Sequence, residues 1–455
     1  MADLGQMTAH LLRRAGFEPS AAELQAALEL GLAGTLRSLL NYGSVPATAL
    51  PQNLAGKPLK PDESREDLQS AWFYRLLRTR RPLEERMTLF WHNHFATGIT
   101  KVASPKLMRI QNDALRRHAT GSFADLLSAI AVDPAMLVWL DGGLNVKGNP
   151  NENWAREVME LFTLGVGNYT EKDVQELARI FTGWTVKEDR AVFVPENHDD
   201  GQKSFLGVGG DLGPEQALRM LCAHPATAKR LALKLLHYLY HPDPEQEFVD
   251  QVALVYTQSG GEVRPMLAAI LTSPWFYSER AYRALVKSPV EYAVGVARQF
   301  GLIQQKGANV LSAEAFLNTW TIAMGQTLFD PPSVKGWDGG LAWVNSGTQM
   351  QRLSFAHQAV TTDGFRKTGG KLDTARLKAR LVAEGAYTAE AVVEAVRGWC
   401  GSPEVTPISR DVLVGYLQRA ESGRKVRFAL TDRTVDMKVR GLLRLMLNLP
   451  EYQLA

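Results

Sequence analysis

The chain has 455 residues, 45% of them hydrophobic, with 51 Lys and Arg set against 48 Asp and Glu. That length exceeds what one hydrophobic core usually fills, so one large body plus a smaller subdomain is the expected plan, and a net charge of +3 offers no concentrated positive field for nucleic acid. The two cysteines, Cys222 and Cys400, share no metal-ligand or C-x-x-C spacing, which argues against a disulfide scaffold or thiolate metal site.

Along the chain, Ser20 opens a helix with Glu23 placed for a capping box and Gly31 as its stop. A second helix runs from Pro82 to Thr97, with Met87, Phe90 and Trp91 at helical spacing. A third spans Asn153 to Leu164, and Thr170 with Asp173 caps a fourth whose apolar stripe is Val174, Leu177, Ala178 and Phe181. Between Trp184 and Gly213 the period changes to a short hairpin and an irregular polar loop. Helical patterns then resume through residue 301 and yield to the Gly- and Trp-rich run FDPPSVKGWDGGLAWVNSGTQ, too punctuated for helix. Beyond a polar linker, four or five short helices close the chain. The expectation is a mainly α fold: a multi-helix orthogonal bundle over 1–360, with a hairpin and loop insertion near 184–213 and a C-terminal helical subdomain over 373–455. No stretch approaches the ~20 apolar residues of a bilayer span, and the first twenty residues lack an apolar leader core, so a cytoplasmic location is expected.

Four polar clusters exceed what packing alone would require. In WHNHF, His92 and His94 lie two apart on a helix, about 200° around the axis, so both cannot hold one ion unless the helix breaks. His94 shares the face of Met87, Phe90 and Trp91 and reads as a core histidine, whereas His92 is the one expected to reach a polar cavity. In PNENWAREVMELFTLG, Asn153, Glu157 and Glu160 share one face, an arrangement able to bind a divalent cation or to split two carboxyl pKa values for acid/base work. The plain alternative is a solvated face with an Arg156–Glu160 pair. In ENHDDGQKSFLG, His198, Asp199, Asp200 and Lys203 crowd one loop, which could supply metal ligands, a base and an anion contact or simply turn chemistry. In SVKGWDGGLAWVNSG, Lys335, Trp337, Asp338, Trp343 and Asn345 could form a stacking platform for sugars or plug the side of a bundle. The nucleophile elbow G-x-S-x-G, H-E-x-x-H, the P-loop and the kinase motifs are all missing, so the standard hydrolase, zincin and nucleotide readings fail.

The stretches HLLRRAGFEPS, LFWHNHFATG, PNENWAREVMELFTLGVGNYTEKDV, ARIFTGW, HDDGQKSFLG, VKSPVEY, SVKGWDGGLAWVNS and LPEYQL resemble the bacterial family known as domain of unknown function 1800. The resemblance covers nearly the whole chain and implies a single, mainly helical unit. It also implies a setting: relatives often carry export signals and are encoded beside a sulfatase-like or alkaline-phosphatase-like protein, which suggests work on envelope polymers or ester-bearing glycans.

Two functional readings follow. In the first, an acid/base- or metal-dependent hydrolase or transferase acts on a polar glycan or ester. Its catalytic groups are Glu157, Glu160, His198 and Lys203, and its substrate contacts are Asn153, Arg156, Trp184, Lys335, Trp337 and Trp343. A divalent zinc, manganese or iron ion would take ligands from His92, His94, Glu157, Glu160, His198 and Asp200. In the second, a non-catalytic helical binding or assembly protein uses the same polar residues to brace loops against helices. Convergence of the imidazoles and carboxylates on one open hollow would favour the first; separate, sealed clusters would favour the second.

Overall fold

A computed structural model describes residues 4–54, 56–302, 312–361, 372–420 and 422–455. The chain is mainly helical, with small two-stranded sheets and no larger one among the described residues. The helix Ala21–Leu40 starts at Ser20 with a complete capping box, as its sequence requires. Gly31 breaks the helical backbone at φ +70 without ending the helix, which resumes and runs to Leu40, so the expected stop is a kink. Only a glycine takes that conformation without strain.

The helix Pro82–His94 begins on its proline and buries nearly its whole circumference. A helix that is apolar on one face only would not do this; one lodged between two cores must. Met87, Phe90 and Trp91 pack into a core that gathers residues from Leu11 to Ala281. Leu89 faces a second core built from Phe17, Trp72, Phe73, the helix Pro289–Phe300 and the C-terminal helices as far as Tyr452. Placed between them, residues two apart on this helix both end up inside.

The insertion contains two hairpins rather than one. Trp184–Lys187 pairs with Arg190–Phe193, and Glu188 and Asp189 both take positive φ at the turn, as a tight two-residue hairpin turn demands. Lys203–Phe205 pairs with Val208–Gly210 through Leu206 and Gly207, again both at positive φ. The expected irregular loop is therefore a second hairpin, its signal hidden by a leucine where Asn or Gly is usual.

The two cores are joined by a buried ionic hub drawn from five stretches of the chain. Glu18 lies 3.0 Å from Arg13 and 2.9 Å from Lys287, all nearly solvent-free. Arg86 pairs with Glu291, and Arg352 donates to the Lys287 carbonyl and to Gln453 at 2.8 and 2.7 Å. Lys287 also donates to the Tyr452 carbonyl, and Arg283 to that of Leu454. Among the described residues, no helix is long and apolar enough to cross a membrane.

Candidate functional site

The all-round burial of Pro82–His94 decides the fate of its polar residues, because each must find a partner inside. His92 is 1% exposed and accepts the Phe329 amide at Nε2, 3.1 Å away, within a ring of Trp72, Phe329 and Trp337. Burial pushes its pKa down to about 3, so the imidazole is neutral. This departs from the expected polar cavity: the Trp-rich segment closes over the ring. Asn93 completes the closure, accepting the Trp337 amide at 2.7 Å and donating to the Trp337 carbonyl at 3.3 Å. Gly336 sits at φ +85, and a Cβ there would meet Asn93 Oδ1 at 2.3 Å, so only glycine permits this clip.

His94 points the opposite way, toward the third helix. That helix is α-helical only over Asn153–Glu157, then widens into a π turn over Val158–Phe162. Such turns are rare and leave carbonyls unmatched. Here the carbonyls of Leu161 and Phe162 are taken by side chains from elsewhere. His94 Nε2 bonds to the Phe162 oxygen at 3.1 Å. Arg230 Nε and Lys234 Nζ, one turn apart on the helix Pro225–Leu239, reach the Leu161 oxygen at 3.2 and 3.1 Å. Lys234 Nζ also lies 3.1 Å from His94 Nδ1. Since a carbonyl can only accept, the His94 proton sits on Nε2, and Nδ1 is an acceptor for the lysine.

Electrostatics sharpen this cluster. Burial, aided by Arg230, lowers the Lys234 pKa to about 7. Burial and the neighbouring Glu160 raise the Glu157 carboxyl, with Arg156 pulling the other way. Glu160 accepts the Tyr169 hydroxyl at 3.3 Å. An amine on the helix Pro225–Leu239 and a carboxyl at the end of Asn153–Glu157 thus each move toward neutrality, a pattern associated with functional sites and with ionic networks alike. Sequence reasoning missed Lys234, Arg230 and Tyr169. Within LALKLLHYLY the lysine reads as a solvated position, and nothing local points to a histidine 140 residues away in sequence.

The remaining expected site residues lie in other neighbourhoods. Arg156 pairs with Glu152 and Glu171, at 3.1 and 2.7 Å, rather than with Glu160. Asn153 donates its amide to Asn151 at the start of the helix. His198 Nδ1 donates to the Thr182 carbonyl at 2.9 Å, its ring edge-on to Phe193. Beside it Asp199 forms a two-point pair with Arg179, which draws its pKa down to about 2. Asp200 turns outward to Lys147, and Lys203 is buried with its amine on the Gly201 carbonyl. Trp184 packs on Phe193, and its indole nitrogen finds no acceptor. Trp337 and Trp343 are each 8% exposed, while Lys335 pairs with Asp338 at the surface.

His92, His94 and His198 therefore enter three separate clusters. Among the described residues, no three His, Cys, Asp or Glu side chains gather as a metal would need. Of the expected residues, Glu157 and Glu160 influence each other across the junction of the α-helical part and the π turn, and His92 packs against Trp337.

A family model described as "Protein of unknown function (DUF1800)" matches residues 10–454. No curated protein and no solved structure matches the chain.

Proposed function

We propose, from the premise that this chain belongs to the DUF1800 family over nearly its whole length, that it is a non-catalytic helical binding and assembly protein. Its conspicuous polar motifs act as braces. One observation carries this reading: His92, Asn93, His94, His198 and Asp199 each commit a polar atom to the backbone or to an arginine of a different element. Groups so engaged cannot also bind a substrate without breaking the fold that holds them. The surface next to the clipped Trp segment suits a protein partner, because Leu341, Val344, Met350 and Leu353 are exposed apolar side chains within and beside the helix Ser346–Thr361.

Denaturant unfolding of single variants tests this. Asn93→Ala should cost about 2 kcal/mol and His198→Ala about 1 kcal/mol, the net worth of the bonds removed plus the partners left unpaired. Wild-type midpoints for both variants would end the brace reading.

A second reading keeps acid/base hydrolysis or transfer on a polar glycan or ester, centred on Glu157 and Glu160. The raised Glu157 carboxyl favours it. Stoichiometric zinc, manganese or iron in the purified protein, lost in Glu157→Gln or His198→Ala without loss of stability, would support that alternative over the brace.

A further inference from the structure

We infer that the open trough between the helices Ser346–Thr361 and Arg440–Leu447 is a docking pocket for the C-terminal carboxylate of a partner polypeptide that ends in an apolar residue. Each helix spends its inner face on the core, through Phe355, Ala356 and Ala359 on one and Leu442, Leu443 and Met446 on the other. Between their outer faces lies a hollow of about 420 Å³, lined by Leu353, Ser354 and His357 from the first helix and by Arg444, Leu445 and Asn448 from the end of the second. That is within the ~300–1,000 Å³ of small-ligand sites, room for a chain end and not for a folded element. Leu353 and His357, one turn apart, are both exposed, so the hollow is open to solvent.

Its lining suits an anion of single charge. Arg444 is the permanent cation there, and no Asp or Glu lines the hollow. Among the described residues the Arg444 guanidinium makes no ion pair or hydrogen bond, and the Ser354 hydroxyl and the His357 ring are likewise uncommitted. The carbonyls that close the second helix, which would otherwise repel an anion, already accept. Arg444 takes Asn448 Nδ2 at 2.9 Å and Leu447 takes Gln453 Nε2 at 2.7 Å. Leu445 and Met446 take the amides of Asn448 and Leu449, at 3.1 and 3.2 Å. One guanidinium matches one carboxylate, which it can grip through two parallel N–H donors, whereas the nearly double charge of a phosphate monoester calls for a second cation.

Leu353 and Leu445, one from each helix, add apolar surface beside that cation. A chain terminus supplies both matching groups from a single residue, a carboxylate and an aliphatic side chain. Leu353 also belongs to the exposed apolar surface that includes Met350 on the same helix, so the residues before the terminus have a track to lie on, which a free small acid would leave unused. The inference rests on the binding-protein reading and names the part of the partner that is held.

The test titrates the full chain, by fluorescence anisotropy, into a short peptide that carries fluorescein at its N-terminus and ends in two leucines with a free carboxylate. Binding should saturate below about 1 mM and weaken at least about tenfold when the terminus is amidated. Arg444→Gln should weaken the free-acid peptide about tenfold and leave the amide unchanged. Leu353→Asp, at an exposed position, sets a like charge beside the carboxylate and should also weaken binding about tenfold, with thermal melting as in the wild type. The comparison of acid with amide is made on the wild-type protein, so it holds whatever a variant does to folding. Absence of binding, equal affinity for acid and amide, wild-type affinity in a folded Arg444→Gln, or tighter binding of an amidated peptide with an internal aspartate would each overturn the proposal. None of these outcomes touches the unfolding midpoints of Asn93→Ala and His198→Ala, which decide the brace reading separately.

Discussion

Asp133 shows how a single residue can set a pH dependence. It caps the helix Pro134–Trp139, accepting the Met136 amide at 2.9 Å and the Gln111 side chain at 2.7 Å, yet burial raises its pKa to about 7. The unfolded chain releases this proton near pH 4, whereas the folded chain keeps it until about 7. Between those values the folded state binds more protons, so stability falls as pH rises from 4 to 7 and then levels off. Asp133→Asn keeps the cap and should remove this slope, gaining up to about 4 kcal/mol at pH 8 relative to wild type. Melting the two proteins at pH 4.5 and pH 8 checks it; parallel pH profiles would contradict it. At this scale the sequence was informative about geometry and silent about partners. The two histidines of WHNHF do point opposite ways, as their spacing requires, and His94 is the core histidine its apolar neighbours implied. The burial of His92 depends on Phe329 and Trp337, far along the chain, and no local pattern encodes that.

Among the elements, the capping boxes at Ser20 and Thr170 form where their residues predict, since a cap is decided within four residues. The π turn was not legible, because its widening is sustained by His94, Arg230 and Lys234 rather than by its own side chains. Thr163 contributes a local side-chain bond, donating its hydroxyl to the Val158 carbonyl at 2.6 Å. The clip between Asn93 and the 329–337 segment is the element most exposed to a single change. Gly336→Ala should cost about 3 kcal/mol, from the left-handed backbone and the overlap with Asn93 together, and should leave Trp337 newly accessible to quenching of its fluorescence. A variant of wild-type stability and unchanged quenching would show that the segment is held by other means.

For the whole molecule, the ionic hub is the strongest link between the chain's early and late parts. The cations Arg13 and Lys287 hold the Glu18 carboxyl far below the usual range despite its complete burial. A depressed carboxyl contributes stability above its unfolded pKa and loses it as pH falls through the folded value, so this contribution should fade only in strong acid, well below pH 4. Glu18→Gln leaves two buried cations without a counterion and should cost about 3–5 kcal/mol at pH 7, with a flatter acid limb than wild type. A neutral effect would mean the cations find other partners. A mainly helical bundle was readable from periodicity and caps; the hub was not, because VKSPVEY and LPEYQL show their purpose only when Lys287 and Tyr452 meet HLLRRAGFE. The expected subdomain over 373–455 can be tested by expressing 1–360 alone: its helices contribute Leu377, Val393 and Leu443 to the core that also holds Phe17 and Trp72, so the shortened chain should fail to unfold cooperatively.

That shared core also governs how the protein is made. A ribosome adding roughly 5–20 residues per second delivers Trp72 and Phe73 tens of seconds before the partners they need, which lie as late as Tyr452. During synthesis the nascent chain therefore carries a wet, sticky half-interior that its own N-terminal helices cannot cover. Its yield in a cell should depend on holding chaperones more than on the equilibrium stability of the finished molecule.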